Sequence, residues 1–164
     1  FRYPRGNGIG AELPNINEKL EIGKGRVIKE GKNVALINFG SRLNECLIAR
    51  ENLLKKGINI TIVDARFAKP LDEKLIWQVA NDHNAVITIE EGSIGGFGSH
   101  VAQLLNEKNL LDNNLKYRSI FLPDRFIDHD KPDIMYKYAG LDSSNIESKI
   151  LDTINSKVVV KKSN

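Results

Sequence analysis

Apolar and polar positions follow two regimes along this chain: short, nearly continuous apolar runs, and longer stretches that carry one apolar stripe. Val34-Ala35-Leu36-Ile37-Asn38-Phe39 and Ala85-Val86-Ile87-Thr88-Ile89 are of the first kind. Such runs predict strands buried on both faces, because a strand with one wet face would alternate. Ile58 to Val63 and Tyr117 to Leu122 predict two more strands, and Arg26 to Lys29 a short one. The striped stretches predict helices. Leu43, Cys46, Leu47 and Leu54 mark one helical face, with Ser41 as its N-cap and Gly57 as its stop. Asp72 is expected to cap a second helix, whose stripe runs Leu75, Ile76, Val79, Ala80 and reaches His83 a turn later. A third helix passes through Val101, Leu104 and Leu105, a short one spans Pro132 to Tyr138, and Ile146 to Ile154 closes the chain. Strands alternating with helices predict a three-layer α/β fold, a mostly parallel sheet with helices on both faces.

The ends break this pattern. Phe1-Arg2-Tyr3 alternates like a strand, Pro4 removes a ladder donor, and Gly6, Gly8 and Gly10 follow at alternate positions. With no Met at its head, the chain reads as if joined partway through a fold. Residues 1–6 are therefore expected to be the terminal strand of a preceding domain, 7–25 an interdomain linker, 26–156 the folded unit and 157–164 a basic tail. Arg5 falls just past the strand end, beside glycines that let a ligand approach the main chain. Its planar fork suits a phosphate or carboxylate there, although a solvated linker arginine has the same surroundings in sequence.

Composition narrows the class. With 164 residues, 41% hydrophobic and 27% charged, the chain is sized for one globular domain with a proper core. No apolar run nears the roughly 20 residues of a membrane span. The net charge of +3 traces to Lys157, Lys161 and Lys162, and no basic groove with interleaved aromatics points to nucleic acid. Cys46 is the single cysteine and lies on a helix stripe, so neither a disulfide framework nor a cysteine metal site is expected, and the cytoplasm is the natural compartment.

Candidate chemistry is sparse. Strand, glycine-rich turn and helix around Gly92, Gly95, Gly96 and Gly98 resemble the plan of a dinucleotide site, but the glycine spacing is wrong and Glu90 and Glu91 would repel an anion there. Close helix-sheet packing or an intersubunit contact is the preferred reading. Glu90 and Glu91, adjacent on a strand, point to opposite faces and form no acid-base couple. His83 is expected at a helix C-terminus and His100 lacks a second ligand at metal spacing. His129, between Asp128 and Asp130, fits either a weak exposed cation site or a solvated turn. No serine sits in a nucleophile elbow.

Several segments together carry a resemblance. Phe1-Arg2-Tyr3-Pro4-Arg5-Gly6-Asn7, Gly23-Lys24-Gly25, Asp64-Ala65-Arg66-Phe67-Ala68-Lys69-Pro70-Leu71-Asp72, Ile89-Glu90-Glu91-Gly92 and Leu122-Pro123-Asp124-Arg125-Phe126-Ile127 follow in this order. Together with Gly140-Leu141-Asp142 the chain resembles the 1-deoxy-D-xylulose-5-phosphate synthase family from Phe1 to about Ile154. The Arg66 to Asp72 and Glu90 to Gly92 elements recur more loosely in transketolases and in 2-oxoacid dehydrogenase β subunits; Tyr3 to Asn7 and Leu122 to Ile127 favour the synthase.

The resemblance implies a three-domain thiamine diphosphate and Mg²⁺ enzyme, a cytoplasmic homodimer, of which this chain is the C-terminal part. Its reaction would join pyruvate, after decarboxylation, to D-glyceraldehyde 3-phosphate. The chain lacks the diphosphate and Mg²⁺ motif, the glutamate that activates the aminopyrimidine and the upstream histidines, so by itself it is expected to bind no cofactor and to be inactive. Residue by residue, only Arg5 carries over, as the arginine for the aldehyde's phosphate. Asp64, Arg66 and Lys69 look like domain or dimer contacts, and Glu90 with Gly92 to Gly98 is expected to shape an interface. The competing class is a non-catalytic α/β module that binds a partner or regulator.

Overall fold

The computed structural model describes residue 10 and residues 19–156. Arg5, the expected strand at 1–6 and the tail at 157–164 lie outside the described residues. The elements are β1 (Arg26–Lys29), β2 (Val34–Phe39), α1 (Leu43–Lys55), β3 (Thr61–Asp64), α2 (Glu73–Asp82), β4 (Ala85–Glu90), α3 (Phe97–Glu107), a single 3-10 turn, β5 (Lys116–Ile120), α4 (Pro132–Ala139) and α5 (Ser143–Asn155). They form the expected three layers. The sheet runs β1-β3-β2-β4-β5, with β1 antiparallel to β3 and every other pair parallel.

The two apolar runs occupy the middle of this sheet. Along β2, Val34 and Leu36 face one way and Ala35 and Ile37 the other, and all four are buried. One face packs against α1 and α5 through Cys46, Ala49, Leu53, Ile146 and Ile150. The other packs against α2 and α3 through Ile76, Val79, Phe97, Val101 and Leu105. A run apolar at every position is what a strand sandwiched between two helical layers requires.

Two expected details are corrected. Leu54 is exposed, and α1 instead buries Cys46, Ala49 and Leu53, a spacing of three then four that follows one side of a 3.6-residue helix. Ser41 does not cap α1: Arg42 holds the N-cap position without a side-chain bond, while the Ser41 hydroxyl donates to the Glu91 carboxylate. Two strand bounds also shift. β3 starts at Thr61 rather than Ile58, because the Ile58 amide bonds back to Leu53 O and Asn59 O accepts from the Lys32 amide. β5 covers Lys116 to Ile120, and the Leu122 amide turns to Gly92 O.

Other expectations hold. Asp72 caps α2 by accepting from the Leu75 amide at 3.1 Å, and its second oxygen accepts the Gly25 amide at 3.1 Å. One carboxylate thus ties a helix start to the segment that leads into β1. At the far end of the chain Lys116 Nζ donates to the Thr153, Ile154 and Ser156 carbonyls at 3.1, 3.0 and 2.6 Å, satisfying the end of α5.

Candidate functional site

In an open α/β sheet, the place to look for chemistry is outside the carboxyl ends of the strands, where successive connections leave on opposite faces. Here β2 connects through α1 on one face and β4 through α3 on the other, so the switch point lies between the ends of β2 and β4.

At the end of β2, Asn38 is fully buried and donates to Gly40 O at 2.9 Å, shaping the turn. Gly40 takes φ +96°, a conformation open to glycine, and the chain enters α1 through Ser41 and Arg42. Arg42 Nε lies 2.7 Å from Glu91 Oε1, and its guanidinium carbon lies 3.6 Å from the centre of the Tyr136 ring. Thus α1, the β4 exit and α4 meet at one guanidinium. Burial first, and then the nearby Glu91 carboxylate, push the Tyr136 phenol above its usual pKa, so it stays neutral at neutral pH. Glu45 on the first turn of α1 accepts the Ser143 amide at 2.8 Å, which adds α5 to the junction.

Replacing Arg42 tests how much of this junction depends on a planar cation. Arg42→Ala and Arg42→Lys are both expected to lower urea stability by about 1 kcal/mol, the sum of a modest ion pair and a stacked cation. A lysine variant as stable as wild type would show that charge alone suffices.

The other strand end, at β4, is occupied by its own side chain. Glu90 is buried, and its carboxylate accepts the Phe97 amide at 3.0 Å and the Gly98 amide at 2.8 Å, at the first turn of α3. A side chain at Gly92 or Gly96 would place Cβ 2.3 Å from a Glu90 oxygen, so these two glycines make room for it. Gly98 lets α3 approach the sheet, since a Cβ there would meet Thr88 Oγ1 at 2.9 Å and Ser119 at 3.0 Å. The glycine-rich loop is therefore a close-packing device. The position at which a dinucleotide fold places its phosphates already holds an anion.

The remaining sequence candidates are placed as follows. Asp64 pairs with Arg26 at 3.2 Å and with Arg66 at 3.8 Å, inside this domain, while Lys69 is exposed. His83 follows α2; its Nδ1–H donates to Val79 O at 2.8 Å, and its Nε2 lies 2.7 Å from the Thr61 hydroxyl. His100 is half-buried on α3, and His129 is exposed. Glu90 and Glu91 do part to opposite sides, one to α3 and one to Arg42. Among the described residues, no three His, Cys, Asp or Glu side chains stand where they could hold a metal ion. Burial pushes the Cys46 thiol up to about 12 and the Tyr117 phenol up to about 12, so neither serves as a nucleophile or base near neutrality. The Arg42 junction escaped the sequence reading because its partners are scattered through the chain and no local spacing signals them.

Comparison with known proteins agrees with this geometry. Residues 23–146 match the family described as transketolase, C-terminal domain. A solved split-gene transketolase, described as an inactive β4 tetramer, superposes with a TM-score of 0.78 at 29% identity, over 90% of this chain and 48% of that one. Transketolase from Campylobacter jejuni subsp. jejuni shares the fold, with a TM-score of 0.59 at 17% identity over 79% of this chain and 18% of that one. The chain thus spans about half the length of the first structure and under a fifth of the second. A five-stranded, mostly parallel sheet between two helical layers, with a family match across most of its length, makes this chain a member of the transketolase C-terminal domain family.

Proposed function

We propose that this chain is the C-terminal part of a thiamine diphosphate enzyme of the transketolase type, with 1-deoxy-D-xylulose-5-phosphate synthase as the activity. The observation that carries the enzyme class is the family match over residues 23–146. The narrower activity rests on the run Tyr3-Pro4-Arg5-Gly6-Asn7 and on Leu122 to Ile127. In this reading the intact enzyme is a cytoplasmic homodimer that condenses pyruvate, with loss of carbon dioxide, and D-glyceraldehyde 3-phosphate. The described residues do not fit the cofactor. The first turn of α3 is filled by the Glu90 carboxylate; in this reading thiamine diphosphate and Mg²⁺ would be held by a portion of the enzyme preceding this domain.

Within the chain, Arg5 is assigned to the aldehyde's phosphate, which it would hold by paired charged hydrogen bonds so that the acceptor carbonyl is correctly placed. Arg5→Ala in the intact enzyme is expected to raise KM for glyceraldehyde 3-phosphate about tenfold or more, the value of a lost charged hydrogen bond, and to leave KM for pyruvate nearly unchanged. Equal effects on both substrates would remove Arg5 from the phosphate site.

A second reading, a transketolase whose parts come from separate genes, is favoured by the 29% identical split-gene structure. Assaying the intact gene product separates the two. Carbon dioxide release from pyruvate that depends on the aldehyde supports the synthase; two-carbon transfer from a ketose phosphate without pyruvate supports the transketolase. Neither reaction would return the chain to the non-catalytic class.

A further inference from the structure

At the amino end of the sheet, away from the Arg42 junction, a relay of hydrogen bonds crosses between layers. The Gly31 amide donates to Thr61 Oγ1 at 3.0 Å, Thr61 Oγ1 lies 2.7 Å from His83 Nε2, and His83 Nδ1 lies 2.8 Å from Val79 O. Three elements meet in it: the turn between β1 and β2, the first residue of β3 and the last turn of α2. Its helix end satisfies one of the carbonyls that a helix C-terminus leaves unbonded. Its other end is Gly31, packed so closely on β3 that a Cβ there would stand 2.2 Å from the Ile60 carbonyl carbon.

Only one protonation state of the ring closes this relay. A carbonyl accepts and cannot donate, so Nδ1 carries a hydrogen, while Thr61 Oγ1 already accepts from Gly31. With Nε2 bare, the Thr61 hydroxyl gives its single hydrogen to the ring, and every donor has an acceptor. With Nε2 protonated, two donors point at Oγ1 and the hydroxyl's own hydrogen has no place. Thr61 is 4% exposed, and among the described residues Gly31 and His83 are the partners of its hydroxyl. A buried donor without a partner is costly, so the closed relay and a doubly protonated ring exclude one another.

Charges surround the ring without bonding to it. An open cavity of about 450 Å³ lies beside His83, with Glu30 and Lys32 of the turn and Asp82 of α2 on its wall. On that wall β3 contributes Thr61 alone. Glu30 and Asp82 attract a positive ring and Lys32 repels it, yet none of the three is a hydrogen-bond partner of the imidazole. These groups act on the ring's charge, whereas the Thr61 hydroxyl responds to which nitrogen carries a hydrogen.

We propose that His83 is an acid-sensitive latch: as the neutral ring it holds the turn at residues 30–33 against β3 and α2, and uptake of a second ring proton releases that turn. The hold is present where the ring is neutral and is lost as pH falls and the ring becomes charged. The latch is independent of the enzyme class proposed above.

The test follows the ring nitrogens and the Gly31 amide of the full chain by nuclear magnetic resonance, between about pH 8 and about pH 5, where histidine changes charge. At the upper end Nδ1 is expected to carry the proton and Nε2 to be bare; a protonated Nε2 there overturns the inference. On acidification Gly31 exchange, divided by its intrinsic rate at each pH, is expected to rise about tenfold, the worth of one hydrogen bond. That rise should share its midpoint with the His83 ring signals, and a flat profile overturns the inference. His83→Gln sets an oxygen acceptor near the position of Nε2 and takes up no proton, so Gly31 should stay protected at both ends of the range. A rise in His83→Gln as large as in wild type assigns the response to Glu30 or Asp82 and overturns the latch.

Discussion

Glu90→Ala is expected to be the most damaging single substitution on the carboxyl side of the sheet, lowering unfolding free energy by about 3 to 5 kcal/mol. The carboxylate is buried and accepts two backbone amides, from Phe97 and Gly98, that have no carbonyl to bond within α3. Removing it leaves two buried donors without partners, at about 1 to 3 kcal/mol each, and removes a negative charge from a helix N-terminus. Glu90→Gln keeps an acceptor oxygen for one amide and should fall between wild type and Ala. Urea denaturation followed by circular dichroism reads all three. If Glu90→Ala unfolds at the wild-type midpoint, the two amides find water and the carboxylate is not what orders the loop. The control is Gly96→Ala, whose Cβ would meet the same carboxylate at 2.3 Å and which should displace it without removing its charge.

Gly31→Ala is the second large effect. A Cβ at Gly31 would stand 2.2 Å from the Ile60 carbonyl carbon, 2.5 Å from its oxygen and 2.6 Å from the Thr61 nitrogen. These are backbone atoms leading into β3 and cannot swing aside as a side chain would. Backing the two segments apart also stretches the Gly31 amide bond to Thr61 Oγ1, now 3.0 Å, and through Thr61 disturbs His83. Overpacking of this kind costs about 1 to 3 kcal/mol, and more when the backbone must move. The expected result is a loss of about 3 kcal/mol in urea, with the largest rise in amide exchange at Thr61 to Asp64. Loss below about 0.5 kcal/mol would show that the turn before β2 yields easily.

The fold could be read from the sequence wherever burial alone decides structure. β2 and β4 announce themselves because both faces meet helices, and every position but Asn38 and Thr88 in their central runs is apolar. The stripe of α2 and the Asp72 cap are equally local and were equally legible. Ser41 was not, because serine before a helix stripe fits a cap in isolation and the Glu91 carboxylate that claims it lies 50 residues away. Leu54 misled for a related reason: apolar character suited the stripe, but its angular position put it on the outer side. At the candidate site, the glycine spacing argues against a dinucleotide, and the structure puts the Glu90 carboxylate at the helix start where its phosphates would sit. What it could not show is that Gly92 and Gly96 leave space for Glu90, since that depends on the carboxylate folding back under α3. Arg5 is the contrary case, a residue whose assigned role comes from resemblance and stands outside the described residues.

The strand order has a consequence for synthesis on the ribosome. β2 sits at the centre of the sheet, yet its neighbours β3 and β4 both come later in the chain, and β4 ends only at Glu90. At about 5 to 20 residues per second, the translating chain holds this apolar central strand with one bare edge for several seconds. β1, translated before it, cannot shield it, because β1 pairs with β3 and not with β2. Until Glu90 emerges, the edge of Val34 to Phe39 that β4 will cover is open to a chaperone or to a partner strand of another molecule, and the second route leads to aggregation.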